Sequence, residues 1–256
     1  MLRREFLAAT AAGFFFPNIN QSAKPPILVP ERTIKGVVKN QLGRFGFARQ
    51  QLPEGQIRTL PLTNIKRLAW TVDDGSNPEG IKDYLDFMQD HDLRMTFFIT
   101  SEYSGWISNR SQVQELLDSG QLQLANHTHL HPGLRASSNA RITEELTRCG
   151  KFIEDTYGVQ VKPYFRPPYG QIDARVTAVA SELGYTSPIM WSGSLGDNAR
   201  QRRQSIVQLG DKYIQDGVIL LDHFNSRTPK AVFDQLLKRV VDRKLKTVTL
   251  DDVFFH

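Results

Sequence analysis

From Ile65 onward the chain alternates between short apolar runs and longer stretches whose apolar residues recur every three or four positions. The short runs predict strands at Leu68–Val72, Met95–Thr100, Leu122–Asn126, Pro163–Arg166, Ser187–Trp191, Val218–Leu221 and Thr247–Leu250. The longer stretches predict helices at Glu79–His91, Gln112–Ser119, Ala140–Tyr157, Ala174–Leu183, Gln204–Gln215 and Lys230–Arg243. In the last of these, Val232, Phe233, Leu236, Leu237, Val240 and Val241 form one apolar stripe at helical spacing. Strands separated by helices point to an α/β fold with a parallel sheet, open or closed into a barrel. In such barrels the chemistry gathers at the C-terminal ends of the strands.

The chain before Ile65 departs from this pattern. Arg3-Arg4-Glu5-Phe6-Leu7 resembles the twin-arginine export motif, and an apolar stretch runs from Leu7 to Phe16. That stretch is too short to span a bilayer and fits the apolar region of a signal peptide. Residues 1–23 are therefore read as a twin-arginine-type signal peptide. Residues 24–65, rich in Pro, Gln and Gly, read as a leader carrying one strand or hairpin. Residues 66–256 read as the catalytic domain. The expected location is periplasmic, cell-wall-associated or secreted, with no stable membrane insertion after signal removal.

Composition narrows the classes. The 256 residues are 40% apolar and 23% charged, ordinary for a soluble globular protein with its own core. The net charge of +5 is not concentrated in a basic run. Arg200-Gln201-Arg202-Arg203 is too short to signal nucleic acid and reads as a solvated helix start. The single cysteine, Cys149, excludes an intrachain disulfide. It shares an apolar helical face with Ile142, Leu146, Ile153 and Tyr157, as a core thiol would. A monomer is the default expectation.

Four polar clusters fall at or beyond predicted strand ends. Asp73-Asp74-Gly75 ends the first strand. Side chains alternate along a strand, so two adjacent carboxylates reach one site only where the chain turns, as it can before Gly75. Taken alone, the pair reads better as an Asx turn with solvated aspartates. His127 and His131 follow the third strand at a spacing of four, which one helical turn would bring to one face as metal ligands. His129 between them would point elsewhere, as a spacer. Arg166-Pro167-Pro168-Tyr169-Gly170 combines a stiff extended backbone with an arginine able to grip a carboxylate through two hydrogen bonds. Its Tyr169 N–H can face an oxyanion. Finally, His223 lies just past the apolar run Ile219-Leu220-Leu221, where it could act as a general acid or be a core histidine.

In this order, the four clusters resemble the polysaccharide deacetylase family, also called carbohydrate esterase family four or the nodulation-deacetylase homology domain. The resemblance covers residues 66–256 and implies a distorted (β/α) barrel of about seven units. It further implies that Asp74, His127 and His131 bind a divalent metal, usually Zn2+. Asp73 would be the base for the attacking water, positioned by Arg166, and the Tyr169 N–H would stabilise the oxyanion. His223 would protonate the leaving amine, and Leu221 would line the acetyl pocket. The implied activity is metal-dependent removal of acetyl groups, N-acetyl above all, from an acetylated glycan such as peptidoglycan or a chitin-like polymer.

One segment departs from the family pattern of Asp-x-x-Asp-Trp after a Trp. Here Trp191, which would contact substrate, is followed by Ser194 in place of the first Asp and by Asn198 in place of the Trp. Asp197 is retained and is expected to tune His223. Asp222, beside His223, is unusual: it would either face solvent or raise the pKa of His223. The altered segment keeps other readings open, namely a catalytically silent glycan-binding protein, an O-acetyl esterase, or a hydrolase of a small non-sugar amide.

Overall fold

Strand β2 (Arg67–Asp74) is buried at every position, and the fold is organised about it. Parallel neighbours on both sides bury it, and between Arg67 and the Asp73-Asp74 pair its run is apolar except for Thr71. The computed structural model describes residues 48–198 and 201–256. The expected signal peptide, the leader up to residue 47 and Arg200 lie outside the described residues. In chain order the elements are β1 (Gln50–Gln51), β2, α1 (Pro78–His91), β3 (Met95–Ile99), α2 (Gly105–Ser108), α3 (Arg110–Ser119) and β4 (Leu122–Asn126). Then come α4 (Asn139–Tyr157), β5 (Tyr164–Phe165), α5 (Ala174–Glu182), β6 (Ser187–Pro188), β7 (Gly193–Ser194), α6 (Arg203–Tyr213) and β8 (Ile219–His223). The chain closes with α7 (Phe233–Asp242), β9 (Lys246–Thr247) and β10 (Phe254–Phe255).

The strands pair in the order β6-β5-β4-β3-β2-β8-β7, with β9 on the first residues of β2, and every pairing is parallel. The sheet curls into a half-barrel, with no β6–β7 pairing among the described residues. The expected α/β distorted barrel is thus the observed fold. The strands read from Pro163–Arg166 and Ser187–Trp191 are shortened to two residues each. Pro167, Pro168 and Pro188 lack the N–H that longer ladders need, and the Met190 N–H bonds Ile57 O instead.

Side-chain alternation divides the core. Leu68, Trp70 and Val72 of β2 face outward to the helices, together with Met95, Phe97, Leu124 and Leu220. Ala69, Phe98, Ala125 and Ile219 face into the half-barrel. Ile57 and Leu60, from the described part of the leader, fill that interior. The expected leader strand is only β1, paired with β10, supplemented by single bridges from Ile57 to Ile189 and Thr59 to Val218. The Lys230–Arg243 prediction also needs trimming. Pro229–Val232 forms a 3-10 turn, α7 starts at Phe233, and Val241 is 65% exposed, so it leaves the packed stripe. Cys149 lies in the core on α4, as expected, its thiol pushed up to about 12 by burial.

Candidate active site

The inward face of β2 ends in Thr71 and Asp73, at the C-terminal edge of the sheet. Asp74 then takes a φ of 81° and Gly75 one of 121°, which turns the chain and brings both carboxylates to one cleft. A Cβ on Gly75 would come within 2.6 Å of the Trp106 indole, so the turn has no room for a side chain. Asp73 Oδ1 accepts from Arg166 Nη1 at 2.6 Å. Arg166 is fully buried, and its guanidinium lies 4.1 Å from the centre of the Phe98 ring. Its grip on Asp73 is through one nitrogen, not the two-bond fork anticipated from sequence. Nη1 also donates to Thr71 Oγ1, while Nε and Nη2 donate to the carbonyls of Ile189 and Met190.

His127 and His131 converge without a helix, a second correction. The segment after β4 is a loop in which Thr128 and His131 have φ of 73° and 58°. Three anchors fix it. Asn126 Oδ1 accepts from the Thr128 N–H, Thr128 Oγ1 accepts from the His131 N–H, and buried Glu145 accepts from the His129 and Leu130 N–H groups. His129 points away, its Nδ1 at 2.8 Å from Ser101 Oγ and its Nε2 at 3.2 Å from Glu102.

Asp74 Oδ1 lies 3.4 Å from His127 Nε2 and 3.2 Å from His131 Nε2. The three donor atoms lie within 4.8 Å of one another. Their hydrogen-bonding pattern fits a cation. His127 Nδ1 sits 2.7 Å from Arg166 O, which can only accept, so Nδ1 carries the proton and the neutral ring turns its Nε2 lone pair toward Asp74. Asp74 Oδ1 is buried and has no hydrogen-bond donor, while Oδ2 accepts from Asn225 Nδ2 at 2.7 Å. Two imidazoles and a carboxylate, with the cleft side open, are a donor set for a catalytic divalent ion, and zinc suits it. Of the two imidazoles only His127 is favoured for positive charge, since burial and the neighbouring His127 lower the pKa of His131. Burial opposes charging His127, but Asp73 and Asp74 outweigh it and raise its pKa. Burial likewise disfavours the Asp74 carboxylate, yet His127, His131 and His223 hold its pKa well below the ordinary range.

Opposite Asp73, His223 ends β8, directly across the ladder. Its Nδ1 lies 2.9 Å from Asp197 Oδ1 and its N–H donates to Asp197 Oδ2 at 2.8 Å. This is the Asp197–His223 contact anticipated above. Burial foremost raises the Asp197 pKa to about 6. For Asp222 the structure removes the solvent-facing alternative, because the residue is fully buried. Alternation turns it outward beneath α1, where its Oδ2 accepts from Trp70 Nε1 at 3.0 Å.

Asp73, Asp74, His127, His131 and His223 line a cleft of about 560 Å3 together with Tyr169, Trp191 and Leu221. Tyr169 has a φ of 59° and is 66% exposed, and its ring meets that of His131 edge-on at 4.6 Å. The N–H groups of Gly170 and Gln171 close the local turn, leaving that of Tyr169 outside those two bonds. Ser194 and Asn198, the departures from the family pattern, also border the cleft. Residues that sequence reasoning missed include Tyr103 and Asn225 in the cleft, Thr71 beneath Arg166 and Trp70 behind Asp222. Asn225 lies two residues past His223, its only signal in the sequence. The others look like ordinary strand or loop residues.

The site is thus two histidines and two carboxylates gathered at the C-terminal edge of a parallel half-barrel. A family model described as polysaccharide deacetylase matches residues 62–188. The chain belongs to the polysaccharide deacetylase family. It is 37% identical over 139 residues to chitin deacetylase 1 of Cryptococcus neoformans var. grubii, which covers 54% of this chain and 28% of that protein. It is 28% identical over 193 residues to the peptidoglycan-N-acetylglucosamine deacetylase PgdA of Listeria monocytogenes, covering 74% of this chain and 39% of the relative. The chain thus spans well under half the length of these two relatives. Among solved structures, it resembles a family 4 carbohydrate esterase from Streptomyces lividans in complex with acetate, with 25% identity and a TM-score of 0.63. That match covers 71% of this chain and 91% of the esterase.

Proposed function

We propose that this chain is a metal-dependent hydrolase that removes acetyl groups, N-acetyl above all, from an amino-sugar polysaccharide of the cell envelope, such as peptidoglycan or a chitin-like glycan. The observation that supports this most is that the neighbouring strands β2 and β8 end in Asp73 and His223, register partners that line the same cleft as the Asp74-His127-His131 cluster. Asp74, His127 and His131 would hold the cation. When bound, it supplies Lewis acidity to the acetyl carbonyl and to the attacking water.

The remaining steps belong to side chains and backbone. Asp73 takes a proton from the water, held in place by Arg166 Nη1. The Tyr169 N–H donates to the oxygen that gains charge as the carbonyl carbon becomes tetrahedral. His223 gives a proton to the leaving nitrogen from Nε2, while Asp197 holds Nδ1 and so fixes the ring and its tautomer. Leu221 and Trp191 wall the acetyl end of the cleft. An amide nitrogen leaves poorly unless protonated, so base and acid must stand on opposite sides of the scissile bond.

Acetate release from N-acetylated chito-oligosaccharides by the metal-loaded protein tests this reading. Glycan binding without release from any acetylated glycan would leave a silent binding protein. Export through the twin-arginine route is the matching proposal for the N-terminal segment. Replacing Arg3 and Arg4 by Lys should retain the protein in the cytosol, and unchanged export would overturn it.

A further inference from the structure

Behind His223 the structure buries two carboxyl groups together. The His223 N–H is shared between Asp197 Oδ2 at 2.8 Å and Asp222 Oδ1 at 3.2 Å, so both side chains converge on one donor. Asp197 is 1% exposed and Asp222 fully buried. Around them stand Trp70, which donates to Asp222 Oδ2, and Tyr84 of α1, whose buried hydroxyl borders Asp222 without a well-aligned hydrogen bond. From β2, Asp73 faces Asp197 and is itself paired with Arg166. On the cleft side, Asp74 and His131 face His223. Among the described residues, no lysine or arginine pairs with Asp197 or Asp222.

Two carboxylates this close, buried and without a cation, do not both ionise. One proton therefore belongs to the pair, and the hydrogen bonds say where it resides. Asp197 accepts two bonds from His223, through Nδ1 and the backbone N–H, and is the better anion. Asp222 has the Trp70 indole and only a share of that N–H, so it is the better acid. Burial first, and Asp197 second, push its pKa far above the ordinary carboxyl value, in keeping with this assignment.

We propose that Asp222 is a positioning residue for deacetylation: as a neutral carboxylic acid it donates a hydrogen bond to Asp197 and fixes that carboxylate against His223. The role rests on reading His223 as the acid of the proposed function. Asp222 faces the helical layer, not the cleft, so it acts through Asp197. Its proton satisfies part of the Asp197 charge, which would otherwise fall wholly on the imidazole. Trp70 keeps the carboxyl oriented for that purpose.

Infrared spectroscopy and kinetics on the metal-loaded protein test this together. At neutral pH the parent should show the C=O stretch of a buried carboxylic acid, absent from D222N. D222N keeps a neutral amide able to donate to Asp197, so its kcat should stay within about threefold of the parent and its pH profile should overlay. D222L removes the donor and should lower kcat roughly tenfold with little change in KM, while displacing the kcat/KM profile along the pH axis. No such band, a band that survives in D222N, or a D222L profile identical to the parent's would overturn the proposal. If D222L does not fold, the band and D222N decide. If the parent releases no acetate, the deacetylase reading falls, while the band still decides where the proton sits.

Discussion

Arg166 Nη1 lies 2.6 Å from Asp73 Oδ1, with both side chains almost wholly shielded from water. The charge of each is tolerable there only because of the other. Removing one partner leaves a buried, uncompensated charge, which costs about 3–5 kcal/mol in such pairs. Arg166→Met should therefore destabilise the protein by that order in urea unfolding. The double variant with Asp73→Asn should recover much of the loss, because no lone carboxylate remains. Equal stability of the two variants would show that Arg166 acts by packing against Phe98 alone.

Asp197 makes a separate prediction about pH. Burial raises its pKa to about 6 in the folded state, above the roughly 3.9 of an unfolded aspartate. A group with a raised folded pKa favours folding fully below its unfolded pKa, and that contribution is lost as pH rises through the folded value. Stability should thus decline from about pH 4 to about pH 6, by roughly 3 kcal/mol from this group. Asp197→Asn cannot titrate and should flatten that decline in urea titrations at stepped pH. Parallel curves for parent and variant would remove Asp197 as the source.

His223 can be judged by comparing leaving groups. An alkoxide leaves with less help than an amine, so loss of the acid should spare ester cleavage. His223→Ala should lower amide deacetylation by roughly 100-fold or more, within the usual range for a general acid, and lower acetyl-ester hydrolysis far less. Equal damage to both activities would contradict the assignment of His223 as the proton donor.

Much of this site was legible in the chain because its parts are local. Asp73-Asp74-Gly75 must turn to bring adjacent carboxylates together, and it does so at the predicted strand end. The contribution of long-range contacts was not legible. The His127–His131 spacing suggested a helical turn, but Glu145, from the next helix, captures two loop N–H groups and holds a different path. Arg166 promised a two-bond grip, yet the carbonyls of Ile189 and Met190 take its other nitrogens. Asp222 looked exposed or coupled to its neighbour because sequence does not reveal that Trp70 waits beneath α1 to bond it. The helices and long strands followed from periodicity, whereas the two-residue strands depend on prolines and on the leader filling the interior.

The central claim is that the Asp74-His127-His131 cluster, with Asp73 beside it, makes this chain a hydrolase. The most direct test is acetate released from N-acetylated chito-oligosaccharides as a function of zinc bound per chain. The account predicts release that is absent after chelation, rises in proportion to bound metal, and is lost in Asp74→Asn together with the metal itself. Release that continues undiminished after the metal is stripped, or none from metal-saturated protein on any acetylated glycan, would contradict it.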